Sequence, residues 1–251
     1  RLVLASALVV GGVALVTAFR ETEAPETVAA AVAAFREQPV EVVDPTGRGA
    51  EPRPGVYVYA TQGGESIDFL LRTAHTYPDE TPLTVVRQPC GFTERWSALT
   101  ARTTERSFCV SPDGLALASY SERHRFVGQT DVREYVCEPP GLYLPAGAQI
   151  GQTWTLACST PETTERWLAT LVSIDSIVVE DEPQTVAEVR FDTTLSGQTN
   201  GTSAKRSWIR VEDNLLVREV VENDNTTGSP LGDVRYQESY QVELGELEPR
   251  E

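Results

Sequence analysis

Residues 233–244 read Asp-Val-Arg-Tyr-Gln-Glu-Ser-Tyr-Gln-Val-Glu-Leu, and this stretch decides the fold class. Val234, Tyr236, Glu238, Tyr240, Val242 and Leu244 fall on one face at a period of two. Asp233, Arg235, Gln237, Ser239, Gln241 and Glu243 fall on the other. Successive side chains of a strand point to opposite faces, so this is a strand with one face buried and one wet. That pattern belongs to antiparallel sheets, since strands of parallel sheets are covered on both sides.

Working outward from the C-terminus, the same rhythm recurs. Strands are expected near 56–59, 83–88, 92–99, 102–110, 115–126, 131–137, 153–158, 166–179, 186–195, 203–211, 215–222 and 234–247. Ser111-Pro112-Asp113-Gly114 and Asp213-Asn214 are turn signals between them. The strands follow one another at short spacing and no strand–helix–strand rhythm appears. The expected fold is mainly β, a curved antiparallel meander of about twelve strands, half-barrel or barrel-like, over residues 55–251. Only Glu65 to Thr73 reads as a second short helix.

The N-terminus has a different character. Residues 2–19, LVLASALVVGGVALVTAF, carry no charge. A bilayer core about 30 Å thick needs about 20 helical residues, so residues 1–20 are expected to form a transmembrane helix. The chain contains no Met, so residues upstream of Arg1 are expected to complete the span. Positive charge stays cytoplasmic and Asp/Glu count little, and the expected orientation is N-terminus inside and the body outside. A cleaved signal peptide is the rival, because Val16-Thr17-Ala18 resembles a small-residue cleavage site. Residues 21–54 form a linker with one short helix, about Val28 to Glu37, capped by Thr27. Three Pro and three Gly in 40–55 then break the chain.

The formal net charge is −16. Phosphate recognition needs clustered Lys and Arg, so a nucleic-acid partner is excluded. Four Cys, at 90, 109, 137 and 158, suit an exported chain with paired cysteines. Of the three connectivities, spacing favours neighbours. Cys90 and Cys109 flank a hairpin centred near Leu99-Thr100, and Cys137 and Cys158 flank a Pro-rich crossing. There is no C-x-x-C spacing and only two His are present, which argues against a metal site.

No G-x-S-x-G, H-E-x-x-H, G-x-G-x-x-G or P-loop motif occurs, so no catalytic residue and no cofactor is assigned. His75 reads as a loop residue near Asp79 and Glu80, and His124 as part of a cross-strand polar cluster with Glu122. The tract 222–228 is rich in oxygen ligands but lacks the EF-hand spacing, and reads as a solvated hairpin tip. Glu219 and Glu238 are the less ordinary residues. Each falls on an apolar strand face, and a carboxylate facing a core is costly unless paired. Either Arg or Tyr partners satisfy them, or Glu219, Glu238, Tyr236 and Tyr240 line a pocket open to water or ligand.

Two resemblances bear on this pattern. GQTWTL followed by SWIRVEDNLLVREVV resembles the strand pattern of LolA-type half-barrel envelope proteins, which implies a curved sheet around a hydrophobic face. HTYP, CGFTERW and RFVGQTDVREYVC resemble a group of uncharacterised secreted or membrane-anchored proteins of actinobacteria, which implies no known activity. The expected function is a non-enzymatic, membrane-anchored extracytoplasmic binding domain, with a protein partner in an envelope complex. The alternatives are a carrier or sensor of a lipophilic ligand, and a hydrolase using His75 or His124.

Overall fold

In a computed structural model, residues 23–38, 51–69, 71–126, 128–229 and 232–251 are described. The expected membrane span 2–19 and linker residues 39–50 lie outside these. Among the described residues no helix is long and apolar enough to cross a membrane.

One short helix, α1 (Val28–Arg36), precedes thirteen strands. These are β1 (Gly55–Phe69), β2 (Leu71–Thr76), β3 (Glu80–Gln88), β4 (Gly91–Leu99), β5 (Arg102–Ser111), β6 (Gly114–Phe126) and β7 (Gln129–Pro145). They continue with β8 (Thr153–Ser159), β9 (Thr163–Val179), β10 (Glu182–Gly197), β11 (Thr199–Arg210), β12 (Leu216–Thr227) and β13 (Val234–Leu244). The Thr27 hydroxyl caps α1 by accepting from the Ala30 N–H at 3.1 Å. The helix packs outside the sheet against β1 and β3, where Val56 and Val58 are buried.

From β3 onward each strand pairs antiparallel with the next, and β13 returns to β1. The closing ladder runs from Tyr59↔Leu244 to Asp68↔Arg235. The sheet is therefore a closed barrel of twelve strands with one extra strand, which corrects the half-barrel alternative. Both edges of the last strand are paired, and closure removes the exposed edge a half-barrel would leave.

The extra strand comes from the stretch read as a helix. Residues 65–69 finish β1 and residues 71–76 form β2. The register against β1 is the same in β2 (Gly64↔Thr76) and β3 (Ala60↔Glu80). These two strands are thus one stave, interrupted at Tyr77-Pro78-Asp79 where Pro78 has no N–H to give the ladder. The pattern misled because a short apolar run is compatible with either period. Gly63 marks the place where β1 passes from β3 to β2. At φ +130°, a Cβ there would stand 2.2 Å from the Ser239 carbonyl oxygen.

Both disulfides join the expected neighbours, Cys90–Cys109 with Cα atoms 4.7 Å apart and Cys137–Cys158 with Cα atoms 4.1 Å apart. Cys109 lies opposite Gly91, one residue from the symmetric hairpin register. The second bridge sits at the weakest seam. β7 and β8 share one ladder pair, Val136↔Ser159. Pro139 and Pro140 in β7 cannot donate, so the covalent bridge holds edges that hydrogen bonds do not.

Candidate functional site: the open end of the barrel

The strand period that buries Val and Leu also sends charged side chains inward. On β13 the successive inner positions Tyr236, Glu238 and Tyr240 mark three levels below one end of the barrel.

At the first level the chain's only two histidines meet on one carboxylate. Glu65 accepts from His75 Nδ1, His124 Nδ1 and the Tyr236 hydroxyl, each at 3.0 Å. His75 lies opposite Glu65 in the β1–β2 ladder, and its ring stacks on Phe126 with centroids 4.6 Å apart. His124 arrives from β6, and its Nε2 is 3.9 Å from Glu122. Burial alone would raise the Glu65 carboxyl, but the two imidazoles and the Arg102 charge outweigh it and hold it down at about 2. Burial and Arg102 work against the His124 imidazolium, yet Glu122 and Glu65 raise it above its ordinary value.

At the second level Glu238 is fully occupied. Arg102 donates to it from Nε at 2.8 Å and Nη2 at 3.1 Å. The Tyr77 hydroxyl donates at 2.5 Å and Asn223 Nδ2 at 2.8 Å. Arg102 is 1% exposed, and its Nη1 is bound by Thr103 O and Thr104 Oγ1.

At the third level Arg106 grips Glu219 in two-point fashion, at 2.9 and 2.5 Å, and Glu94 at 3.0 Å. Ser207 Oγ and the Tyr240 hydroxyl also donate to Glu219, at 3.0 and 3.2 Å. Burial raises the Glu219 carboxyl, but Arg106 and Lys205 bring it below the usual range. The expected residues Glu219, Glu238, Tyr236 and Tyr240 thus all point into the barrel. Both glutamates have Arg and Tyr partners, the arrangement a closed core requires.

To one side of these levels, β7, β9 and β10 contribute rings around Lys205 of β11. Lys205 Nζ lies 4.3 Å from the Trp167 ring centroid, 4.8 Å from Phe191 and 4.9 Å from Tyr143. Glu165 accepts from Trp167 Nε1 at 3.0 Å. Burial and the Glu122 charge push the Glu165 carboxyl up to about 7.

Above the first level the barrel opens into a cavity of about 780 Å³. Ile67, Phe126, Leu195, Val234 and Tyr236 supply its apolar wall, and Glu122, His124 and Arg133 its ionised floor. Arg133 reaches from β7 across the opening to Thr199 Oγ1 at 2.8 Å and Thr227 Oγ1 at 3.2 Å. A smaller internal cavity of about 60 Å³ lies next to it and shares Glu122, Leu195 and Asn225. A further concavity, of about 930 Å³, is a shallow saddle involving β1, β2 and β10 to β13.

Chemically the open end can bind, donate and accept protons. Both histidines spend Nδ1 on Glu65, and among the described residues no hydroxyl nucleophile is hydrogen-bonded to either ring. Among the described residues no group of three His, Cys, Asp or Glu is placed to hold a metal ion. The tract 222–227, read as a hairpin tip, is the end of β12. Its Asp224 is held by Arg235 and its Asn223 by Glu238.

Sequence reasoning did not single out Glu65, Arg102, Arg106, Glu165 or Lys205. Two signals were present. Gly63-Gly64 inside a strand pattern marks a close backbone approach beside Glu65, and the lone lysine is unusual against twenty arginines. No protein-family model, curated protein or solved structure matches the chain, so its function must be read from this geometry.

Proposed function

We propose that this chain is a membrane-anchored extracytoplasmic binding domain that receives a small amphipathic molecule in the open end of its barrel. The anchor and the export rest on the apolar run 2–19. The binding reading rests on one observation, the pairing of an apolar wall with an ionised floor inside an opening of about 780 Å³. Ligand pockets of that size pair apolar side chains with convergent polar groups, and here the polar residues are the more numerous, which suits a molecule with a strongly polar head. The floor is also pre-organised. Glu65 beneath it fixes His124, and Thr199 and Thr227 fix Arg133, so little ordering is left to oppose binding.

A carrier that encloses a lipid chain is less well supported. The space below the opening is about 60 Å³, too small for an acyl chain, and Arg102, Arg106, Glu165 and Lys205 stand in its wall beside Leu195 and Val221.

A thermal-shift screen with amphiphiles of different head charge tests the binding reading. The expected result is a stabilising compound whose effect disappears in Tyr236→Ala and Phe126→Ala but survives Thr202→Val on the saddle. A compound equally effective on all three variants would place binding elsewhere and overturn the proposal.

A further inference from the structure

Lys205 is the single lysine in 251 residues, against twenty arginines. It occupies an inner position of β11 opposite Phe191 and is 8% exposed. Among the described residues its nitrogen has neither a hydrogen bond nor an ion pair, only the three ring faces. The inner arginines Arg102 and Arg106 each hold a carboxylate at two points. A guanidinium serves as a fixed charge because it does not deprotonate, whereas a buried ammonium can. Departure from arginine at this one inner position therefore points to the amine rather than to the charge. The amine also has a place for a ligand beside it. Lys205 lines the internal cavity with Glu165, Trp167 and Tyr120, and that cavity meets the open end at Glu122, Leu195 and Asn225.

We infer that Lys205 captures a slender aldehyde, admitted through the open end of the barrel, as an imine, with Glu165 carrying the protons. This rests on the binding reading in one respect, that the open end admits a ligand. The cavity of about 60 Å³ has room for about two water molecules. That suits an aldehyde group and its neighbouring carbon, with any tail left in the opening.

The surroundings favour the required protonation states. Burial and the Arg106 charge bring the Lys205 ammonium down to about 7, against the pull of Glu219, Glu94 and Glu165. A neutral amine is thus abundant near neutral pH, which is the usual route to a nucleophilic lysine. The ring faces hold the ammonium form of the resting side chain. Glu165, at about 7, supplies a carboxylic acid in the same cavity.

The step balances without an oxidant or reductant. The Nζ lone pair bonds to the carbonyl carbon, the C=O π pair moves to oxygen, and that oxygen takes the Glu165 proton. Nitrogen passes one of its protons, by way of the new hydroxyl, to the Glu165 carboxylate. Glu165 then protonates the hydroxyl, the C–O bond breaks, water leaves and the C=N bond forms. The iminium and the Glu165 carboxylate remain in the same cavity.

The test treats the folded protein at pH 7 with acetaldehyde and cyanoborohydride, which delivers hydride to an iminium and leaves an ethyl group on nitrogen. Peptide mapping separates Lys205 from the terminal amine. The expected result is ethylation of Lys205 about tenfold faster than in the urea-unfolded chain, the much larger share of free amine outweighing the narrower access and lower nucleophilicity of the buried amine. Glu165→Gln should slow it roughly tenfold while the protein remains folded by circular dichroism. Labelling of Lys205 only after unfolding, or at the unfolded rate, overturns the inference. An amphiphile that stabilises the parent but not Tyr236→Ala, in a protein whose Lys205 stays unlabelled, keeps the binding reading and overturns the imine alone.

Discussion

Two buried cations on opposite sides of the barrel interior make the useful comparison. Arg106 sits between Glu219 and Glu94 with its hydrogen-bonding groups engaged. Lys205 sits among Trp167, Tyr143 and Phe191 without a carboxylate in contact. Burying a charge is tolerable when a partner and hydrogen bonds replace the lost water. The arginine site meets that condition and so explains itself as structure. The lysine site does not, and a buried amine without a hydrogen-bonding partner beside a cavity is where a ligand is worth seeking.

The largest expected effect breaks the paired side. Arg106→Met strands Glu219 and Glu94 without their cation, and should cost about 3–5 kcal/mol in urea denaturation. The double change Arg106→Met with Glu219→Met should recover part of that loss, because only Glu94 is then left without its cation. If the double variant is as unstable as the single one, the ion pair is not what makes the site tolerable.

The covalent seam comes next. Replacing Cys137 and Cys158 together with Ala should cost roughly 3 kcal/mol, the chain-entropy value for a loop of about 20 residues. Loss well beyond that would show that the β7–β8 edge has little else holding it.

Glu238→Gln tests whether the second level follows the arginine pattern. It keeps the shape but weakens four hydrogen bonds, and should cost about 1–3 kcal/mol. Unchanged stability would instead align Glu238 with the open cavity above it.

The smallest effect is expected on the unpaired side. Lys205→Met keeps the volume and removes a charge that lacks an ion pair, so it should cost less than about 1 kcal/mol at pH 7. Its signature lies in pH dependence. The folded amine is depressed to about 7, below its ordinary unfolded value. Its contribution is therefore present above that unfolded value and is lost as pH falls towards 7. Between these limits the unfolded chain binds a proton that the folded chain does not, so stability rises with pH. Denaturation at pH 7, 8 and 9 should show this rise in the parent and a flatter profile in Lys205→Met. Glu65 acts with the same sign in a lower pH window. Held at about 2, it contributes above the ordinary carboxylate value, and that contribution is lost as pH falls through about 2.

How much of this was legible differs from element to element. The strand 234–244 shows its inner and outer faces directly, because the period of two is a property of the local backbone. The Thr27 cap and both disulfides were readable for similar reasons, since their partners lie close in sequence. Residues 65–76 were not readable locally, because a short run with Ile67 and Leu71 fits a helix turn as well as two strands. That Glu219 and Glu238 face inward followed from alternation, but what meets them did not. Arg106 lies 113 residues from Glu219, and Arg102 lies 136 residues from Glu238. His124 is 59 residues from the Glu65 it shares with His75.

The sequence by itself determined the β class, the antiparallel order, the faces of the strands and the cysteine pairs, because each depends on local periodicity or short loops. Only the tertiary structure decided that the sheet closes, that β2 continues the stave of β3, and which cation meets which carboxylate. Those outcomes depend on cumulative register around twelve strands and on distances across the barrel, and a shift of one residue in any ladder would turn a side chain to the other face.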